Sequence, residues 1–565
     1  MRITLVHPAG YNFQPGQPDY TVFANRMAPI GILQLASWLE KHGHTVFLHD
    51  ALGPCAPPKL EQNFEQVMAT NPDMVGFSTT TSAFFDGYDM AQMIKKRRPE
   101  VKIIFGNVHV SSIGAPLLNW FTDIDYLCMG EGEGCLLDLA DGKPLKEIPN
   151  LIYRDGNNQP VSNPRRPRIG SLDDLPFLAY EKLQGFPQGY HLPPFSYEKR
   201  WGATMITSRG CPFTCSFCDR TVFEGKYKYN SKEYIWEHMK YLRDHFGVHH
   251  INIYDDLFTA SRKRLVELLD HLAMNPLGMN FNCAVRAGDL DTELLKMLKA
   301  AGALQVSMGI ESADPDMMER HKAGITLDEV RSTVKMIHDA GLRAKGLFIF
   351  GLQGETPKSI MTTSEFINSL DLDEMNMTKF TPFHGAPSWN ECIDGSDGTF
   401  HEDWRLMNCL NFIYKPHGFD SVEQMERMYN KVVTSFFRSE GYQGRFRNRF
   451  YKHKWTIWHF IKNMPTVISA FNHFKPDAKH LDDKNVWPEL HPAQPAAMLP
   501  PAKKNEPVRR FAGAKWNAVP KKAAVSSHPA VAPGVKLPVA EAHAHAHGHA
   551  HEHGHAHAHE HEHAH

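Results

Sequence analysis

The run Arg209-Gly210-Cys211-Pro212-Phe213-Thr214-Cys215-Ser216-Phe217-Cys218 places three thiols at the spacing CxxxCxxC. Cysteine thiolates are the usual ligands of cubane iron–sulfur clusters, and three of them in one loop can wrap a cluster while leaving its fourth iron open. An open iron is a place where a substrate or cofactor can bind. The competing chemistry is a zinc knuckle, but zinc sites commonly show four ligands in paired spacings, and no nearby Cys or His completes such a pair. The chain has nine cysteines in 565 residues, three of them within this one segment, which is not a disulfide framework.

The elements that must hold this loop read as an alternating array. Apolar, strand-like runs occur at TMITS near 204, HINIYDD near 250, MNFNCAV near 279, LQVSMGI near 304, AKGLFIFG near 344 and EMNMTKF near 374, with helical stretches between them. Six βα-type units over 201–400 predict a partial parallel barrel with its chemistry at the carboxyl ends of the strands. The cysteines follow the first strand of that array.

Residues 1–150 show a second alternation: RITLV, TVFLHD, DMVGFS, VKIIFG and DYLCMG separated by amphipathic stretches. This predicts a Rossmann-like, doubly wound parallel sheet with ligands at the carboxyl ends of its strands. Those ends carry Ser78-Thr79-Thr80-Thr81-Ser82, Gly106-Asn107-Val108-His109 and Gly130-Glu131-Gly132-Glu133. Residues 151–200, rich in Pro, Gly, Asn and Arg, read as an extended connector. Residues 401–475 are aromatic-rich and predicted helical. Phe412, Tyr414, Trp455, Trp458 and Phe460 there are either core or the lining of a hydrophobic substrate cavity.

Residues 476–565 are predicted disordered, and twelve histidines lie between His543 and His565. Neutral imidazoles at this density suit divalent Zn, Ni, Cu or Co. Lys+Arg total 61 against 63 for Asp+Glu, so no global field recruits nucleic acid or an anionic membrane. The apolar run at the N-terminus is too short for a membrane span, and the reading is an α/β protein of the cytoplasm.

The cysteine motif at the end of the first strand of a six-unit barrel resembles the radical S-adenosylmethionine (SAM) superfamily. The resemblance continues through Asp255-Asp256-Leu257-Phe258-Thr259, Gly309-Ile310-Glu311-Ser312 and Phe350-Gly351-Leu352-Gln353-Gly354-Glu355-Thr356. It implies that Cys211, Cys215 and Cys218 hold a [4Fe-4S] cluster whose open iron chelates SAM, and that an electron donor such as flavodoxin or ferredoxin feeds it. It also implies that Phe217 packs near the adenine, and that Asp256, Ser307 and Glu311 serve SAM. Taken alone, Glu311 or Asp256 is as readily a helix cap.

The first 150 residues resemble the cobalamin-binding domain that precedes the barrel in class B radical SAM enzymes, through Met27-Ala28-Pro29-Ile30-Gly31 and the three strand ends above. That implies cobalamin contacts from Ser78, Thr79, Thr80, Gly106, His109, Gly130 and Glu131, with the nucleotide tail in the Ser78–Ser82 cleft. Cobalamin proteins that place a histidine beneath cobalt carry an Asp-x-His-x-x-Gly loop. None occurs here, so the expectation is a lower face without a histidine ligand.

The family resemblance implies functionalisation of an unactivated carbon of a small-molecule substrate, which is hydrophobic if the C-terminal aromatic residues line its cavity. Methyl transfer leads, with oxidative cyclisation of a tetrapyrrole-like substrate as the alternative. Methylthiotransfer to tRNA would want three more N-domain cysteines, for which Cys55, Cys128 and Cys135 are the candidates, and a basic C-terminal module that is not recognisable. A corrinoid or metal storage protein would leave the open-site cluster motif without purpose.

Overall fold

The computed structural model describes residues 1–10, 25–192, 196–322 and 324–450, together with 457, 461 and 464. The histidine-rich tail, Trp455, Trp458 and Phe460 lie outside the described residues.

Strands β1 (Arg2–His7), β2 (Thr45–Asp50), β3 (Met74–Ser78), β4 (Lys102–Gly106) and β5 (Tyr126–Cys128) form a parallel sheet in the order β2-β1-β3-β4-β5. Its apolar residues divide between the two faces. Ile3, Leu5 and Ile104 pack under the helices Ile30–Lys41 and Glu133–Ala140, whereas Val6, Phe77 and Phe105 pack under Phe84–Arg97. A sheet buried on both faces needs near-continuous apolar strands, which is what the runs predicted.

The stretch opening at residue 151, expected as connector, instead extends this sheet. β6 (Leu151–Arg154) and β7 (Pro160–Ser162) add an antiparallel hairpin. Its turn is closed by Asp155, whose carboxylate accepts from the backbone N–H of Asn157 and Gln159. Side-chain capping of a short turn is a local signal easily taken for loop.

β8 (Gly202–Met205), β11 (His250–Ile253), β12 (Asn280–Val285), β13 (Ala303–Glu311), β14 (Arg343–Phe350) and β15 (Glu374–Lys379) pair in parallel, strictly in chain order. β8 and β15 remain unpaired edges, so the sheet is an open six-stranded barrel. The short β9 (Ser208–Arg209) and β10 (Lys228–Tyr229) pair with each other above it. Five outer helices start at Ser231, Ser261, Asp291, Thr326 and Thr356, each a side-chain N-cap of the favoured type.

The C-terminal region is only partly helical. It includes a hairpin of β16 (Gly398–Phe400) and β17 (Tyr414–Pro416) before the helices Val422–Arg438 and Glu440–Phe450. Trp404, Met407 and Ile413 from this hairpin loop enter the core of the N-terminal domain beside Phe84 and Phe121. The aromatic residues expected as core or substrate cavity are core in two cases: Phe412 packs against Phe350, and Tyr414 against Phe380.

Candidate active site

The cysteine loop leaves β9 through Gly210, whose φ is +88° and whose missing Cβ would lie 2.1 Å from the Lys226 carbonyl. Only glycine fits. The buried Asp255 carboxylate, at the end of β11, anchors the segment before it. It accepts from the Thr207 N–H (2.5 Å) and hydroxyl (2.6 Å) and from the Ser208 N–H (3.0 Å) and hydroxyl (2.7 Å). Its neighbour Asp256 accepts from Gly210 N–H at 2.8 Å. Asp256 is therefore no helix cap, and the helix that follows β11 takes Ser261 as its cap. Within the loop, the Ser216 hydroxyl bonds His321 Nδ1 at 2.6 Å, and the Ser216 carbonyl accepts from Ser388 N–H.

Cys211, Cys215 and Cys218 line one cavity of about 390 Å³ together with Phe217, Asp256 and Glu311. Burial raises the pKa of all three thiols. In Cys218 burial, then the charges of Cys215 and Asp256, push it up to about 12. Crowded, desolvated thiols of this kind stay protonated until a cation compensates their charge, so the donor set fits a cationic iron cluster. Glu311 has a positive φ of 68° at a register shift in β13, and its carboxylate accepts from Lys322 Nζ at 2.8 Å. Ser307, four residues earlier on the same strand, does not line the cavity.

A second cavity, of about 280 Å³, lies between the N-terminal sheet and the helix Ile30–Lys41. Leu5, Gly76 and Ile104 form its floor, and Gly31, Ser78, Gly106, Asn107 and the turn Gly130–Glu133 surround it. A Cβ on Gly76 would stand 2.9 Å from Leu5. The Ser78 hydroxyl accepts from Asn107 Nδ2 at 3.1 Å. An apolar slot edged by small residues, with hydroxyl and amide at its mouth, fits the flat nucleotide tail of cobalamin.

Three of the expected cobalamin residues turn away from this slot. Thr79 is buried and donates to the Gly106 carbonyl, and Thr80 is exposed. His109 is 1 % exposed, packs against Trp404 and Phe84, and reaches Thr81 through Nδ1. Burial, then the neighbouring His384, lowers its pKa well below the usual range, so it is neutral. A helix starting at Val108 rotates its second residue toward the core, which strand-end proximity in the sequence does not reveal.

Sequence reasoning missed the residues that join the two cavities. Val222 and Phe223 line both. Arg209, two residues before Cys211, reaches across to Glu131 (3.1 Å) and Glu133 (2.7 Å), and Arg168 pairs with Glu131 at 3.2 Å. All four side chains are 10 % exposed or less. A basic residue before a cysteine motif carries no sequence signal of a partner 76 residues away.

Comparison with known proteins agrees with both halves. Residues 205–367 match the radical SAM superfamily model and residues 18–140 the B12 binding domain model. The chain is 30 % identical over 418 residues to an uncharacterized methyltransferase of Pyrococcus horikoshii, covering 72 % of this chain and 87 % of that one. It is 25 % identical over 450 residues to the anaerobic magnesium-protoporphyrin IX monomethyl ester cyclase of Rubrivivax gelatinosus, covering 77 % of each. Its fold is similar to that of the radical SAM methyltransferase TsrM from Kitasatospora setae, with a TM-score of 0.58 and 17 % identity over 77 % of this chain and 88 % of that one. No helix among the described residues is long and apolar enough to cross a membrane. With the cysteine loop on one side of a shared wall and the Ser78 slot on the other, the chain belongs to the B12-binding radical SAM family: it is a cobalamin-dependent radical SAM enzyme whose cofactors are a [4Fe-4S] cluster, SAM and cobalamin.

Proposed function

We propose that this enzyme methylates an unactivated carbon of a small molecule with apolar surface. The observation that carries the proposal is the common wall, Val222 and Phe223, which brings the cobalamin slot against the cluster cavity. When bound, the cluster supplies the electron that cleaves SAM to a hydrogen-abstracting 5'-deoxyadenosyl radical, while cobalamin carries the methyl group. The chain's own residues hold and orient these parts. Cys211, Cys215 and Cys218 ligate the cluster, Phe217 packs along the adenine, and Asp256, Glu311 and Ser307 serve SAM, with Ser307 acting from below the cavity. Ser78, Gly106, Gly130 and Glu131 hold the cobalamin tail, Thr79 and His109 support them from behind, and Thr80 reaches it from the exposed rim.

In this reading the enzyme works in the cytoplasm on electrons from a donor such as flavodoxin or ferredoxin. It takes no nucleic acid, in keeping with its balanced charge, and its histidine tail binds divalent metals. The Pyrococcus relative's name supports methyl transfer. The similarity to the cyclase supports a second reading, oxidative ring closure of a tetrapyrrole-like substrate.

Anaerobic incubation with SAM, reductant and candidate substrates separates the readings. Methylated product with stoichiometric S-adenosylhomocysteine beside 5'-deoxyadenosine is the expected result. Sustained product with 5'-deoxyadenosine alone selects ring closure. Neither methionine nor 5'-deoxyadenosine from a reducible cluster would overturn both.

A further inference from the structure

The slot between the N-terminal sheet and the helix Ile30–Lys41 is apolar below and polar at its mouth. Leu5, Gly76 and Ile104 form the floor, and Ile32, Leu35 and Leu136 wall it, so nothing there has a side chain that hydrogen-bonds. The floor is closed. A Cβ on Gly76 would stand 2.9 Å from Leu5 Cδ2 and 3.5 Å from Ile104 Cγ2, and Leu5 and Ile104 are 1 % and 2 % exposed.

The polar side chains of the lining are largely spent on one another. Gln34 donates through Nε2 to the Ser37 hydroxyl (3.2 Å) and to the Pro176 carbonyl (2.9 Å). Arg209 is held by Glu131 and Glu133. Asn107 is fixed at both ends of its amide, because Oδ1 accepts from Val108 N–H at 2.7 Å and Nδ2 donates to Ser78 Oγ at 3.1 Å. Asn107 does this from φ 83° and ψ −167°, a backbone region that glycine alone populates freely. The Ser78 oxygen therefore accepts from Asn107, and its own proton has no acceptor among the described residues. That hydroxyl faces across the slot, since a Cβ on Gly31 of the opposite helix would stand 3.9 Å from Ser78 Oγ.

One uncommitted hydroxyl proton at the mouth, above a floor of hydrocarbon, matches some corrinoid tails and not others. A benzimidazole joined to ribose through one ring nitrogen keeps a single acceptor nitrogen, on the ring next to the ribose, and ends in a hydrocarbon edge. A purine joined in the same way carries two further ring nitrogens on its far ring, and adenine adds an amino group there. Pushed onto the floor, those groups lose their partners in water and gain none. A phenol base has no ring nitrogen and leaves the Ser78 proton unpaired. We propose that this slot makes the enzyme selective for the lower base of its corrinoid: it takes benzimidazoles, with Ser78 as the donor that Asn107 aims, and rejects purines.

The inference rests on the cobalamin reading, which binding of any corrinoid tests separately. The full chain, with its cluster and freed of corrinoid under anaerobic conditions, is titrated with cobalamin, with the cobamides carrying adenine or p-cresol, and with cobinamide, which has no base. Affinities are referred to the form of each free corrinoid whose base is off the cobalt, a fraction that acid titration gives. Cobalamin is expected to bind tightest. The adenine compound should bind roughly 100-fold more weakly, because several buried polar atoms lose their partners, and the p-cresol compound roughly 10-fold more weakly, because one donor does. Equal affinity for cobalamin and the adenine compound overturns the proposal. So does cobinamide that binds as tightly as cobalamin, which would put the tail outside the slot. Ser78→Ala is expected to weaken cobalamin roughly 10-fold and to leave the p-cresol compound unchanged, and equal losses for the two would also overturn the proposal. If Ser78→Ala does not fold, the ranking of the four corrinoids on the wild-type chain decides. Protein that binds none of them removes the cobalamin reading itself.

Discussion

The Arg209 guanidinium lies 2.7 Å from the Glu133 carboxylate, joining the strand that launches the cysteine loop to the turn that edges the cobalamin slot. Removing one partner of such a buried pair strands the others without compensation. Arg209→Met should therefore cost about 3–5 kcal/mol and lower corrinoid retention, read by denaturant midpoint and by bound cobalamin. Burial alone would raise the Glu131 pKa, but Arg168 and Arg209 outweigh it and hold the carboxylate below its usual range. A depressed carboxylate stabilises above its unfolded pKa and loses that contribution as pH falls through its folded value. The gap between wild type and Arg209→Met should thus narrow below about pH 4.

Replacing Cys211, Cys215 and Cys218 together by Ala should abolish cluster iron while leaving cobalamin bound, because most of the slot is built from the other sheet and none of the three cysteines lines it. Iron and corrinoid assayed on the same anaerobic sample decide this. Cluster iron that survives the triple change would contradict the ligand assignment.

Phe223 stands in the wall between the cavities, with the guanidinium of Arg168 5.0 Å and that of Arg209 6.0 Å from its ring centre. Phe223→Ala should leave the cleavage of SAM nearly unchanged but misplace the reacting groups. Product formation should fall roughly 100-fold, since small misplacements of reacting atoms carry costs of that order. The ratio of 5'-deoxyadenosine to product is the measurement, and an unaltered ratio would show that the wall does not align the two cofactors.

Glu355 is fully buried after β14 and accepts from Gly351 N–H at 2.5 Å, and burial pushes its pKa up to about 8. A raised carboxyl pKa means that the folded state holds the proton more tightly, so this group's contribution to stability declines as pH rises from about 4 to about 8. Glu355→Gln, which cannot ionise, should flatten that decline. Unfolding midpoints at several pH values across this window should show the variant gaining on wild type toward the alkaline end.

Removing residues 541–565 should leave cluster, corrinoid and turnover intact and lower the Ni, Zn or Co bound. Imidazoles supply the ligands there, and the segment has no apolar side chain larger than alanine to contribute to a core. Metal content and turnover of the truncated protein, with metals in excess, test it.

Much of this architecture is local and therefore readable. The cysteine spacing lies within one loop, and the alternation of strands and helices over 1–150 and 201–400 reflects which side chains each element must bury. The glycines and Ser78 mark where the chain leaves a cavity open at the strand ends. Less readable was the fate of residues 151–162, where a turn closed by Asp155 converts an apparent connector into two more strands.

By itself, the sequence determined the spacing of the three cysteines and the succession of the two sheets, because both are written along the chain. Only the tertiary structure decided how the sheets address one another. It turned His109 into an aromatic core, brought Trp404 to the N-terminal domain, set Arg209 against Glu131 and Glu133, and gave His7 its carboxylate from β2. These pairs are separated by tens to hundreds of residues. A buried charge or imidazole takes whichever partner the fold returns to it, and nothing in its sequence neighbours names that partner.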